Sequence, residues 1–237
     1  MIRLALAALA LSAAPLAAQA TADPHDALAT ALTSDEYIEQ SYTHAIKAVF
    51  ESALRADPDL AATEKACPGL FAAMLGAGEP IMRPAHRRDF LTYRGKLAQL
   101  FGGEMSAEHA SEGAAFFGSD LGRRFLASLA ASQSVDAQVG AVLASEDADF
   151  TADTMDADKA LTARAGLAAL EPLDRREVEH TLAAAAWAQA FSRLEPAIAQ
   201  AQLEMANADY LPEEDAAMDR AFEAAAEAHL AACFGEE

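Results

Sequence analysis

The sequence predicts an all-α fold, a multi-helix bundle of about seven to nine helices. Apolar residues recur at helical spacing through the chain, and no long stretch alternates with the period of two that marks a half-buried strand. Hydrophobic residues make up 53% of the chain but aromatic residues only 7%, because alanine supplies much of the apolar content. Small side chains let helices approach one another closely, so we expect tight helix–helix packing rather than a core of bulky residues.

The first twenty residues are typical of a cleavable signal peptide. Arg3 is followed by the apolar run Leu4–Leu16, and Ala18-Gln19-Ala20 is a small-x-small cleavage site. The apolar run is too short to span a bilayer, and we expect no transmembrane segment after cleavage. The sequence therefore predicts a periplasmic protein whose residues 21–237 form a single all-helical domain.

The chain is strongly acidic, with 37 Asp and Glu against 17 Lys and Arg and a net charge of −20. Lys and Arg are the side chains that neutralise the phosphates of nucleic acids and anionic lipids. The excess of carboxylates therefore disfavours both as partners. A solvated outer face of the helices accounts for the acidity, because such charge keeps a protein soluble.

Caps, prolines and glycines predict where the helices of the first half begin and end. Thr33 and Glu36 form a capping box that opens a helix. The other predicted boundaries are helix starts at Pro58, at Pro68 and near Ala85, a stop at Gly76-Ala77-Gly78, a loop over residues 79–84 and a stop at Gly102-Gly103.

The segment Ser106–Leu126 is predicted to be two helices joined at a Gly-Ser step. Ser106 caps the first helix, and Gly118 ends it by allowing a left-handed turn. Ser119 then caps the second helix. Gly122 lies one turn into that helix and lets a neighbouring helix approach closely. Every one of these positions has an architectural role.

The run from Phe116 to Phe125, FFGSDLGRRF, resembles the signature of a bacterial helical family catalogued as domain of unknown function 2059. The family pattern is an acidic helix start, Phe-Tyr, a Ser-Pro-x-Gly turn and basic residues before an apolar one. Phe117 stands at the Tyr position and Asp120 at the Pro position. The match covers the region Gly102–Leu126. The resemblance implies a helical, exported protein whose biochemistry is unassigned.

Arg123 and Arg124 are the residues of this segment without a compelling architectural role. They can pair with the excess carboxylates of the chain, or Arg124 can bind an anionic ligand at the helix start. With Phe117 they are the candidate residues for binding a ligand or partner.

The second half is predicted to be more uniformly helical, after an acidic, unpatterned stretch at residues 145–158 that marks a sub-boundary. Its predicted elements are a helix from about Ala157 to Leu170, a long helix opened by the capping box of Asp174 and Glu177 and kinked or split at Pro196, and a last helix from Pro212 to about Cys233. Aligning Arg124 with Arg193 raises the hypothesis that the two halves are loosely similar repeats.

Glu177 and His180 form a Glu-x-x-His motif, which places a carboxylate and an imidazole on one helix face. Bundles that hold two irons use two such motifs and two further glutamates, whereas this chain has one forward copy. The motif is therefore either a metal site or a pair of exposed helix residues. We predict no cofactor.

The chain has two cysteines, Cys67 and Cys233. In an oxidising compartment they can form one disulfide, which would stabilise the fold by on the order of 4 kcal/mol through the long loop that it closes. The alternative is two separate buried thiols. A redox-active pair is disfavoured, because the chain has no Cys-x-x-Cys.

The chain contains no Gly-x-Ser-x-Gly, no phosphate-binding loop and no His-Glu-x-x-His. The sequence therefore favours a binding or assembly role in the cell envelope over catalysis, with an envelope protein or an apolar peptide as partner. The alternatives are a metal-dependent enzyme that uses Glu177 and His180, a hydrolase assembled from distant positions, and a carrier of a small apolar ligand. A closed apolar cavity between helices would be the sign of the carrier.

Overall fold

The structure, a computed structural model, describes residues 23–144 and 150–235. Within these ranges all regular structure is helical, which confirms the predicted all-α bundle. The predicted signal peptide lies outside the described residues, as does part of the predicted sub-boundary. None of the described helices combines the length and the apolar character needed to cross a membrane.

The described chain forms twelve α-helical segments. They are α1 (Pro24–Leu32), α2 (Asp35–Ser41), α3 (Lys47–Ala56), α4 (Pro58–Ala66), α5 (Leu70–Glu104), α6 (Ala107–Gly118), α7 (Asp120–Ala131), α8 (Asp136–Ala144), α9 (Ala152–Ala169), α10 (Pro172–Ala184), α11 (Ala186–Ala206) and α12 (Pro212–Phe234). A π-helical turn, Tyr42–Ile46, links α2 to α3. Segments joined by this turn, or by a single non-helical residue, can be counted as one helix. Counted in this way, the described ranges contain between seven and nine helices, as predicted.

The prediction of a break at residues 76–84 was wrong, because α5 runs unbroken through Pro80 and Pro84 for 35 residues. A proline inside a helix removes one hydrogen bond and crowds the carbonyl four residues earlier. Here Gly76, Pro80 and Pro84 are all exposed, so water can satisfy the freed carbonyls. Pro196 is likewise exposed inside α11 and does not split it. Tertiary packing overrides the local preference in both helices.

Neither of the two predicted capping boxes opens its helix. Ser34 caps α2 by accepting a hydrogen bond from the Tyr37 amide at 3.2 Å, whereas Thr33 donates to a carbonyl of α1. Helix α10 begins at Pro172, before Asp174, because proline suits the first turn of a helix. The long helix predicted from Asp174 also ends early, at the non-helical Ala185.

The helix α5 takes part in two apolar regions. Its second half packs into the main core with α1, α6, α7, α10 and α11; there Leu97 and Phe101 are 2% and 0% exposed. Its first half packs with α3, α4 and α12 in two smaller clusters around Leu70 and Met82. The main core contains buried residues from both predicted halves, for example Leu28 and Val178.

The joint between α6 and α7 has the caps that the sequence predicts. The Ser106 hydroxyl accepts from the His109 amide at 3.2 Å, and the Ser119 hydroxyl accepts from the Gly122 amide at 3.0 Å. The predicted left-handed turn at Gly118 was wrong, because the described glycines with positive φ are Gly69 and Gly235. Ser119 turns the chain by itself with an extended backbone, φ −72° and ψ 165°.

Gly122 brings the first turn of α7 against the last turn of α6. A Cβ atom at Gly122 would lie 2.6 Å from the Phe117 Cα and would also collide with the Phe116 carbonyl oxygen. Both obstacles are backbone atoms, which cannot rotate away as a flexible side chain can. The close approach predicted for Gly122 is therefore confirmed, and the neighbouring helix is α6.

We predict that Gly122→Ala destabilises the protein by about 1–3 kcal/mol, the usual cost of overpacking. Gly118→Ala is the matched control, because a Cβ at Gly118 meets nothing within 4 Å and alanine favours helix. Urea unfolding of both variants measures the difference. Equal stability of the two variants would contradict the close packing at this joint.

Helix α12 is attached near its start to α5 and near its end to Cys67, the residue that follows α4. At its start the Glu214 carboxylate accepts a hydrogen bond from Arg88 on α5. At its end the Cα atoms of Cys233 and Cys67 are 5.9 Å apart, a distance at which the disulfide that the sequence allows is possible. Between these points α12 packs through partly buried side chains such as Phe222, and none of its side chains is fully buried.

We predict that the double substitution Cys67→Ser and Cys233→Ser lowers the free energy of unfolding by about 4–5 kcal/mol. The two cysteines are 166 residues apart, and in the chain-entropy model a loop of this length gives that stabilisation. Denaturant unfolding with and without dithiothreitol measures it. Reductant should lower the free energy of unfolding of the wild-type protein to that of the double variant and leave that of the variant unchanged. A wild-type protein whose stability does not change with reductant would refute the bond.

Candidate functional site

The predicted binding residues Arg123 and Arg124 are exposed, and each has a local partner. Arg123 donates to the Gly118 carbonyl and pairs with Asp120, so it covers the end of α6. Arg124 Nε donates to an Asp174 carboxylate oxygen at 2.8 Å, which ties α7 to α10. Both arginines therefore have architectural partners that the sequence did not reveal.

Phe117, the third predicted binding residue, is buried in the main core at 5% exposure. Its ring lies 5.1 Å from the ring of Phe116 and 5.5 Å from that of Trp187, measured between centroids. It anchors α6 to α11 rather than facing the exposed arginines. The structure does not bring Phe117, Arg123 and Arg124 to one cleft.

Glu177 and His180, the predicted metal ligands, are both exposed on α10, while Val178 between them is buried in the core. In the part of the chain that the structure describes, no three His, Cys, Asp or Glu side chains gather closely enough to hold a metal ion. The described geometry gives this pair no further ligand.

A half-open cavity of about 500 Å³ lies in the described part of the molecule. It is surrounded by the α1–α2 corner, the second half of α5, α7, the start of α8, α9 and α11. Its lining residues are Leu32, Thr33, Tyr37, Phe90, Tyr93, Leu97, Leu126, Leu129, Gln133, Ser134, Gln138, Met155, Asp158, Lys159, Thr162, Ala163, Phe191, Glu195, Ile198, Gln202, Met205 and Ala206. We call this feature the central cavity.

One wall of the central cavity is aromatic. Phe90 packs edge-on against Tyr37 and Tyr93, with ring centroids 6.1 and 6.2 Å away. Burial raises the pKa of the Tyr37 and Tyr93 hydroxyls, so both stay protonated at physiological pH. Each hydroxyl can donate and accept one hydrogen bond or more. This wall therefore offers apolar ring surface with neutral polar ends.

A second stack of rings holds this wall on α5. His86 lies 4.7 Å from Phe90 and 5.7 Å from Tyr42, between ring centroids. Burial lowers the pKa of His86 to about 4, so its imidazole is neutral and acts as an aromatic spacer. The Arg83 guanidinium covers the far face of this stack, 4.6 Å from the Tyr42 ring centroid. The π-helical turn is thereby packed on α5.

Asp158 is a buried carboxylate in the cavity lining, 2% exposed. Its oxygens accept hydrogen bonds from the Ala137 and Gln138 amides at 3.1 and 3.0 Å, the Ser134 hydroxyl at 2.9 Å and the Gln138 side-chain amide at 3.1 Å. Burial alone would raise the pKa of Asp158, but these four hydrogen bonds outweigh it and the pKa is lowered. Asp158 thus caps the N-terminus of α8 from a neighbouring helix.

Sequence reasoning missed both the central cavity and the role of Asp158. A cap normally precedes its helix by one residue, whereas Asp158 follows the amides that it binds by 20 and 21 residues. An aspartate in an acidic, alanine-rich helix carries no local signal of burial. The cavity lining comes from seven helices, and no spacing within one helix predicts their common surface.

Comparisons with known proteins do not identify this chain. No protein-family model matches its sequence, and neither the curated proteins nor the solved structures contain a significant match. Membership of the family catalogued as domain of unknown function 2059 therefore stays a prediction. The chemistry of the central cavity is the basis for the functional argument.

We predict that Asp158→Asn destabilises the protein by about 1–3 kcal/mol at pH 7, because an amide cannot accept all four hydrogen bonds and buried donors are left unpaired. Asp156→Asn is the control on the same helix, since Asp156 is exposed and pairs only loosely with Lys159 at 3.8 Å. Denaturant unfolding should show a change within about 0.5 kcal/mol for the control.

The destabilisation by Asp158→Asn should depend on pH in one direction. The pKa of Asp158 is lower in the folded protein than in the unfolded chain, so its ionised form stabilises the fold above the unfolded pKa of about 4. That contribution is lost as the pH falls through the folded value. The difference in the free energy of unfolding between wild type and variant should therefore decrease in acid. A difference that increases below pH 4 would refute the capping role.

Proposed function

We propose that this protein is a ligand-binding protein of the cell envelope and that the central cavity is its site. The observation that carries the proposal is a pocket of about 500 Å³ lined mostly by aromatic and aliphatic side chains, with nine polar or charged residues among the 22. Sites for small molecules usually have this size and a mainly apolar lining. The ligand class that fits is small and largely apolar.

The state of the polar lining groups also favours binding over catalysis. The carboxylate of Asp158 already accepts four hydrogen bonds, which hold it in place as a cap and leave it poorly suited to take up a proton. The hydroxyls of Tyr37 and Tyr93 hold their protons, since burial raises their pKa. Groups in these states are suited to hydrogen bonding with a ligand.

The shape of the site favours a small molecule over a partner protein. A protein partner needs on the order of 800 Å² of surface on each side, whereas the central cavity is a pocket between helices. An envelope protein or an apolar peptide as partner stays a prediction from the sequence. The pocket thus supports the carrier alternative among the predicted binding roles.

The envelope location is supported by two features of the sequence and one of the fold. The signal-peptide pattern of residues 1–20 is typical of an exported protein, and the alanine-rich composition fits the periplasm. The approach of Cys67 and Cys233 to disulfide geometry fits an oxidising compartment.

We predict that the neutral apolar fluorophore N-phenyl-1-naphthylamine binds the protein and that Ala163→Trp weakens this binding at least tenfold. Ala163 is an exposed residue of the cavity lining, so an indole there can cover the open side of the cavity. Ala165→Trp on the same helix is the matched control, because Ala165 is also exposed but lies outside the lining. Fluorescence titration measures both affinities.

The outcome separates binding in the cavity from nonspecific binding. Equal affinities for the two tryptophan variants would show that the fluorophore binds elsewhere. A wild-type protein that does not bind the fluorophore at all would contradict the proposed function. Circular dichroism of both variants checks that the bundle is intact.

A further inference from the structure

We infer that the ligand of the central cavity has an uncharged polar end, a hydroxyl or an amide, and that the site discriminates against carboxylates of the same chain length. This inference rests on the proposed function, because it names the class of ligand for that same cavity. It concerns the chemistry of the lining, which carries few charges and several neutral hydrogen-bonding groups.

The charges around the cavity oppose an anionic ligand. Asp158 and Glu195 are acidic members of the lining, and Lys159 is the basic one among the described lining residues. Lys159 is partly exposed and has the Asp156 carboxylate 3.8 Å away, so solvent and this neighbour weaken its attraction for a ligand anion. A ligand carboxylate in the cavity would lose its hydration in exchange for this weak attraction, which is costly. The net charge of −20 adds long-range repulsion.

The neutral groups offer what an alcohol or an amide needs. Tyr93 on α5 and Gln202 on α11 both line the cavity, on two helices that pack against each other in the main core. Tyr37 supplies a second protonated hydroxyl on the same aromatic wall. Amides and hydroxyls both donate and accept, so they match a ligand group that does the same. Beyond them lies the apolar surface of Leu97 and Phe90.

A cationic ligand is also disfavoured, although the lining is acidic. The Asp158 oxygens are engaged by four donors and do not face an ammonium group as free acceptors. Glu195 is exposed, so its attraction for a cation is screened by solvent. A buried ammonium would therefore lose more hydration than it regains.

The test compares four ligands that differ only in their polar end: decanol, decanamide, decanoate and decylamine. Each displaces N-phenyl-1-naphthylamine from the wild-type protein in a competition titration at pH 7.5. We expect decanol and decanamide to bind at least tenfold more tightly than decanoate and decylamine, because only the neutral heads avoid desolvating a charge.

Gln202→Leu tests where the polar end binds. We expect this variant to bind decanamide at least fivefold more weakly than wild type while its affinity for the fluorophore changes less than twofold. Gln200→Leu is the matched control, since Gln200 lies on the same helix, is exposed and does not line the cavity. A general loss of folding would lower both affinities, whereas loss of one hydrogen bond lowers only that of decanamide.

The possible outcomes are distinct. Tighter binding of decanoate or of decylamine than of the neutral pair would overturn the inference and leave the proposed function standing. Failure of all four to displace a bound fluorophore would also overturn it. If Gln200→Leu and Gln202→Leu weaken decanamide binding equally, the polar end of the ligand does not bind at Gln202. Failure of the fluorophore itself to bind would remove the proposed function and the inference together.

Discussion

The continuity of α5 is the constraint on which the rest of the structure depends. A helix of 35 residues is about 50 Å long, enough to reach across a small domain. One end supports the clusters under α3, α4 and α12, and the other supports the main core and the aromatic wall of the central cavity. A break at Pro80 or Pro84 would uncouple these regions. Exposure of both prolines is what lets the helix pass through them.

The central cavity is open because polar groups occupy part of its wall. An apolar gap between helices tends to collapse, since filling it restores lost contacts. Here Asp158 holds α8 and α9 together through hydrogen bonds to α8 amides, so the wall is fixed by directional bonds and not by close packing alone. The same carboxylate supplies the cap that α8 lacks in its own sequence. Asp158 therefore both stabilises the fold and forms part of the cavity wall.

The parts of this fold that could be predicted from the sequence are those decided by neighbouring residues. The caps Ser106 and Ser119 act on amides three residues away, and both were confirmed. The features that the sequence did not predict depend on distant parts of the chain. Pro84 is tolerated because it lies on the exposed face of α5, and Asp158 caps a different helix. The cavity belongs to the second group, because seven helices contribute to it. Arg124 shows the same limit, since its partner Asp174 is 50 residues away.

The two cysteines of the chain allow only one disulfide within a single molecule. With Cys67 and Cys233 as the two thiols of the sequence, no incorrect pairing within one molecule is available, so no disulfide isomerisation is needed. Cys67 must nevertheless wait for a partner that follows 166 residues later in the chain. During that interval its thiol can meet small thiols or other proteins in the same compartment. In an oxidising compartment we therefore expect mixed disulfides at Cys67 as the by-product of incomplete folding.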